Sequence, residues 1–170
     1  METVGLVDTR QPPNIRQGLI NLGWEAAALT AGDYQWRIAG GKTFGMESKT
    51  ALDLASSHIT RVTTGAHKGM SVLKSELIRL KDAVDIAALL SLDGLPEATW
   101  DGLIVIPTQS PKVPWRSLAN FITTAYRSGV IPVFGTSRRQ VQDVEAIRKY
   151  FCELDHIALN ELVDIKYAQE

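Results

Sequence analysis

The stretch Gly32–Thr50, GDYQWRIAGGKTFGMESKT, carries most of the information about how this chain folds. Tyr34 to Ile38 alternates apolar and polar residues with a period of two, the pattern of a half-buried strand. Gly40-Gly41 follows, and a glycine pair between two such runs is a strong hairpin signal. The next run, Thr43 to Glu47, is therefore predicted to fold back along the first. Successive side chains of a strand point to opposite faces, so Glu47 and Lys49 share one face and Ser48 takes the other. Asp33 stands in the Ala31-Gly32-Asp33 turn where the first strand begins. The hairpin thus brings two carboxylates and an ammonium towards one end. Such a carboxylate pair suits a hard cation that prefers oxygen ligands, Mg2+ or Mn2+, and the arrangement fits phosphodiester hydrolysis. Read without context, the same residues also describe a solvated strand face with a surface ion pair and an ordinary turn aspartate.

Outward from the hairpin, strands and helices alternate. Thr3–Asp8 reads as a short buried strand ending on a carboxylate. Pro12 and Pro13 suit the first turn of a helix whose apolar side is Ile15, Leu19, Ile20 and Leu22, closed by Gly23. Trp24–Leu29 is a second strand. Beyond Lys49 the chain turns helical through Ala51–Ser57, and His58–Gly69 reads as an exposed mobile loop. Leucines at 73, 77 and 80 predict a helix over Ser71–Ala88. Gly102–Ile106 (GLIVI) is expected to be a buried strand, Trp115–Tyr126 a helix, and Val130–Phe134 a strand parallel to GLIVI. Ser137 is expected to cap a last helix reaching about Leu154, with an amphipathic tail from Ala158 that suits a docking helix. The expected fold is α/β: a mixed central sheet flanked by helices, one domain over residues 1–157 with a tail at 158–170.

With 170 residues, 45% hydrophobic and 22% charged, the chain has the composition of an ordinary soluble globular domain. Eighteen Lys plus Arg against nineteen Asp plus Glu give no bulk sign of a polyanionic partner, although a sum does not reveal a local patch. No apolar run reaches the length of a membrane span, and the N-terminus lacks signal-peptide character, so an intracellular location is expected. Cys152 sits in an apolar-periodic run and reads as a core residue. His58, His67 and His156 have no zinc-ligand spacing. Arg61, His67 and Lys68 in the predicted loop suit either DNA phosphates or plain solvation. Arg138 and Arg139 oppose the dipole at the start of the last helix, and Trp115, beside Lys112 and Arg116, is the tryptophan best placed for a DNA or partner contact.

Several motifs recur in the order of one known family. Val7-Asp8-Thr9-Arg10-Gln11 resembles that family's V-D-x-R-E, Leu29–Tyr34 its L-x-x-G-D-Y, and Glu47–Asp53 its E-R-K-x-x-x-D. Leu73–Lys81, Leu103–Ile106, Trp115–Leu118, Gly129–Val133 and Thr136-Ser137 resemble its later elements in the same order. By these motifs the chain resembles the XPF-type structure-specific endonucleases, a branch of the PD-(D/E)xK nucleases with a restriction-endonuclease-like core. The resemblance covers roughly residues 3–155. It implies metal binding by Asp33 and Glu47 with Asp8 as a further acid, a catalytic role for Lys49, and supporting roles for Arg10 and Asp53, the latter holding Lys49 or capping a helix. It further implies a Mg2+- or Mn2+-dependent endonuclease acting on branched, flapped or junction DNA in repair, recombination or replication. Family precedent suggests a homodimer or a partner subunit. A Holliday-junction resolvase and an inactive DNA-binding or scaffolding subunit are the alternatives. Two positions depart from the motif: Ser48 stands where the family has Arg, and Gln11 where it has an acid. The tandem helix-hairpin-helix module that family members often carry is not expected in this sequence.

Overall fold

The computed structural model describes residues 4–106 and 112–153. The tail, His156, Pro107 and Pro111 lie outside the described residues. The main sheet is built from β1 (Leu6–Asp8), β2 (Glu25–Ala27), β3 (Tyr34–Arg37), β4 (Thr43–Thr50), β5 (Ile86–Leu92) and β8 (Val130–Gly135), in the order β2-β1-β3-β4-β5-β8. Only β3 runs against its neighbours. The carboxyl ends of the five parallel strands and the start of β3 therefore share one edge. A two-stranded ribbon of β6 (Leu103–Ile104) and β7 (Val113–Pro114) stands apart from the sheet. The helices are α1 (Pro13–Ile20), α2 (Ala51–Ile59), α3 (Val72–Ala83), α4 (Trp115–Arg127) and α5 (Gln140–Glu153).

Strand alternation divides the core into two layers. Tyr34, Trp36, Phe44, Met46, Ala88 and Leu90 project to one side, where they pack with Ile15 and Leu19 of α1 and Val144 and Phe151 of α5. Trp36 stacks on Phe44 with 4.4 Å between ring centroids. On the other side Leu89 and Val130 meet Leu54 of α2, Leu73 and Leu77 of α3, and Leu118 of α4. The mixed central sheet flanked by helices is as the sequence suggested. The β3–β4 hairpin is also present, closed by a 3-10 turn at Ala39–Gly41, where Gly40 and Gly41 have φ of 80° and 78°. Few residues other than glycine tolerate that region.

Several expectations need correction. The helix read over Ser71–Ala88 stops at Ala83, and Ile86–Leu92 is the strand β5 at the centre of the sheet. Its sequence, IAALLSL, is buried on both faces; such a strand reads as a continuous apolar run and cannot be told from a helix by periodicity. The GLIVI segment supplies only β6, and the parallel neighbour of β8 is β5. Ile20 and Leu22 lie largely outside the core, at 37% and 48% exposure. The segment after α2 is also more ordered than a mobile loop. Val62 N donates to Met70 O, Gly69 N to Val62 O and Val72 N to Thr60 O, all at 2.8–2.9 Å, and Arg61 forms a bridge with Ser71. His58 belongs to α2 rather than to this loop.

At the start of the last helix, Ser137 forms part of a 3-10 turn rather than a cap: its amide and hydroxyl both bond to the Asp93 carboxylate after β5. Cys152 lies at the rim of the first core layer, half-buried, with its thiol 3.9 Å from the Arg37 carbonyl. Among the described residues no helix is long and apolar enough to cross a membrane.

Candidate active site

The site forms on the carboxyl edge of the sheet, and its geometry begins with Gly32. That residue has φ of 75°, and a Cβ there would stand 2.8 Å from the Leu80 side chain and 3.1 Å from the Met46 carbonyl. Only glycine lets the turn approach β4 so closely. The next residue is then fixed by its main chain: Asp33 N donates to Met46 O and Asp33 O accepts from Asp8 N, both at 2.8 Å. Its carboxylate is held as firmly. Oδ2 accepts from the Ser48 amide and hydroxyl, each at 2.7 Å, and Oδ1 accepts from Gln11 Nε2 at 2.6 Å. Gln11 is itself placed by Tyr34, whose hydroxyl donates to Gln11 Oε1 at 3.2 Å and accepts from Gln140 Nε2 at 2.8 Å. Burial, and then the neighbouring Asp33, push the Tyr34 hydroxyl up, so it stays a neutral donor.

Glu47 and Lys49 project together from the opposite face of β4, towards α3. Lys49 Nζ lies 3.0 Å from Glu47 Oε1 and 2.8 Å from Glu76 Oε2 of α3. Burial pushes the Glu47 carboxyl up to about 7, with the Asp33 charge adding to the effect and Lys49 opposing it. Burial works against the charge of Lys49, but Glu47 and Glu76 outweigh it and raise its pKa, so it remains an ammonium. A cavity of about 230 Å3 opens over these groups, with Arg10, Asp33, Glu47, Lys49, Glu76 and Arg79 among its walls.

The sequence-predicted residues are thus partly assembled. Asp33, Glu47, Lys49 and Arg10 line one cavity. Asp8 does not line it. Its buried carboxylate accepts from Arg10 Nε at 2.7 Å, Arg10 Nη2 at 2.9 Å, the Arg10 amide and the Leu29 amide, and the Arg10 guanidinium holds its carboxyl below the usual range. Among the described residues no group of three or more His, Cys, Asp or Glu side chains is gathered to hold a metal. The cap of α2 is Thr50 and not Asp53: Thr50 Oγ1 accepts from the Asp53 amide and donates to the Asp53 carboxylate at 2.7 Å, so Asp53 lies in the first turn and supports the cap. His67 bonds through Nδ1 to Ser75 Oγ at 2.8 Å, while Arg61 and Lys68 are exposed on the loop. Trp115 packs partly against the second core layer, and the fully exposed tryptophan is Trp100, at 99%.

Glu76 and Arg79 are site residues that the sequence pattern did not single out. The signal available was the position of Glu76 beside Leu73, Leu77 and Leu80, a charge bordering the buried face of a helix.

Compared with solved structures, the chain is similar to XPF from Aeropyrum pernix in complex with DNA: TM-score 0.60 and 15% identity, covering 89% of this chain and 64% of that one. The chain has the XPF fold. XPF from Aeropyrum pernix in a second structure gives a TM-score of 0.57 at 16% identity, covering 97% of this chain and 69% of the other. No family model and no curated protein matches the sequence. This chain thus spans about two thirds of the length of the XPF chains it matches, and the cavity described above is carried on that shared fold.

Proposed function

We propose that this chain is a metal-dependent DNA endonuclease that hydrolyses phosphodiester bonds in branched, flapped or junction DNA. The observation that carries the reading is one cavity, on an XPF fold, in which Asp33, Glu47 and Lys49 converge at the carboxyl edge of the sheet. The similar XPF structure in complex with DNA supports a nucleic-acid substrate.

The donor set fits a hard divalent cation. Asp33 and Glu47 offer carboxylate oxygens on the same cavity, and a bound cation would offset the cost of keeping the buried Glu47 ionised beside Asp33. Asp33 and Glu47 would hold Mg2+ or Mn2+, which when bound polarises the phosphoryl oxygen and lowers the pKa of a coordinated water. The chain's own groups supply the rest. Lys49, kept protonated by its two carboxylate partners, is an electrostatic group and not a resting general base. It neutralises charge developing on the scissile phosphate and orients the attacking water. Glu76 fixes where that ammonium points. Ser48, Gln11 and Tyr34 fix the rotamer of Asp33. Arg10, braced by Asp8, and Arg79 stand on the cavity wall to receive phosphate oxygens. A second copy or a partner subunit would extend the contact with a branched substrate.

Purified protein is expected to nick labelled flap, fork or junction DNA with Mg2+ or Mn2+, and Asp33→Ala and Lys49→Ala to abolish the cut. Equal activity in wild type and both variants refutes the assignment. Linear duplex assayed alongside separates a structure-specific enzyme from a general nuclease.

A further inference from the structure

A second cavity, of about 430 Å3, lies between α3 and the loop that follows α2. Its apolar wall is Val62, Ala66 and Val72, and its polar groups include Thr64, His67 and Asp82. Arg79 lines this cavity and the candidate active-site cavity alike, so the two share one side chain. The wall contributed by the loop is preformed. Besides the three cross-loop bonds described above, Met70 N donates to His67 O at 3.0 Å and Lys68 N to Gly65 O at 3.2 Å. His67 is anchored from the other side by its bond to Ser75, a buried residue of α3.

We propose that this cavity receives one unpaired nucleotide adjacent to the scissile phosphate, an inference that rests on the endonuclease reading. A ligand spanning both cavities must place an anionic group at Arg79 and an uncharged, partly apolar group beside it. A nucleotide next to a backbone phosphate has that chemistry. The aliphatic wall takes the face of the base, and the Thr64 hydroxyl, the His67 ring and the Asp82 carboxylate offer a donor and acceptors for its edge. The volume falls within the range of about 300 to 1,000 Å3 typical of small-ligand pockets. A base inside a duplex enters only after unpairing and unstacking, whereas a base at a flap or junction has already left its partner. The pocket therefore favours branched over linear DNA without reading sequence.

The test uses a flap substrate carrying 2-aminopurine at each of the first three unpaired positions in turn, bound without divalent metal so that no cleavage intervenes. With wild type, the fluorescence at one position is expected to change severalfold. Ala66→Leu and Thr64→Leu, on two separate exposed wall positions, fill the cavity. Each is expected to abolish that change and to lower the ratio of flap to duplex affinity on the order of tenfold, the scale of one base-stacking contact. Variants that melt like wild type yet keep both the signal and the ratio overturn the proposal. So does a wild-type protein whose fluorescence changes at no unpaired position. Because this readout needs no cleavage, it separates failure of the pocket from failure of the nuclease assignment, which the nicking assay reports on its own.

Discussion

Lys49→Met tests how the site stores charge. The ammonium lies 3.0 Å from Glu47 and 2.8 Å from Glu76, and the three side chains are 14%, 10% and 19% exposed. A pair at 4 Å with an effective dielectric near 20 attracts by about 4 kcal/mol. Desolvation offsets much of this, so the net worth of either pair is far smaller. Removing the shared cation is another matter, because it leaves two largely buried carboxylates without compensation. Breaking a buried pair from one side costs about 3 to 5 kcal/mol, and the residual solvent access here points to the lower end, about 3 kcal/mol. Glu76→Gln alone leaves the Lys49–Glu47 pair intact and is expected to cost about 1 kcal/mol. The double variant removes the repulsion together with the cation, so the two effects do not add: about 2 to 3 kcal/mol in place of about 4. Urea unfolding followed by circular dichroism, with m-values checked for constancy, measures all three. A Lys49→Met cost under about 1 kcal/mol, or a double variant equal to the sum of the singles, refutes the view of Lys49 as the counter-charge of a buried pair.

Three further outcomes follow from other contacts. Gln11→Ala frees Oδ1 of Asp33, whereas Ser48→Ala removes one of the two donors on Oδ2 and leaves the Ser48 amide in place. Affinity for Mn2+ is expected to fall about tenfold or more in Gln11→Ala and by less in Ser48→Ala, measured by electron paramagnetic resonance titration, and unchanged affinity in both would show that these bonds do not orient the carboxylate. Burial opposes ionisation of Glu145, but hydrogen bonds from Arg148 and Trp24 outweigh it and leave its pKa lowered, as Arg10 does for Asp8. The stability both contribute is complete above the ordinary values of 4.5 and 3.8 and is lost as pH falls through the depressed folded values. Melting temperature is accordingly expected to drop below about pH 4.5, and Glu145→Gln to flatten that fall; an unaltered acid limb counts against the assignment. Gly5→Ala would put a methyl 2.4 Å from the Trp24 ring and is expected to cost about 1 to 3 kcal/mol by thermal melting, with a neutral result showing that Trp24 is free to move.

How far such contacts could be foreseen depends on whether they are local in the chain. The β3–β4 hairpin was legible because a period of two and a glycine pair are local signals, and with it came the shared face of Glu47 and Lys49. β5 was not, since an Ala- and Leu-rich strand with both faces buried continues the leucine spacing of α3. Glu76 was missed for a related reason: its approach to Lys49 comes from α3 packing on β4, and nothing local in the sequence encodes it. Gln11 and Ser48 show the point most clearly. Against the motif they resemble, each reads as a separate lost charge, an acid at one position and an arginine at the other. In the structure the two side chains meet on opposite oxygens of one carboxylate, that of Asp33. Both are neutral donors, so each stands in space as a hydrogen bond to Asp33 and not as a missing charge. An amide and a hydroxyl that donate to opposite oxygens fix the orientation of the Asp33 carboxylate from two sides. What looks in sequence like two unrelated departures from the motif is in space one arrangement around a single carboxylate, which only the fold brings together.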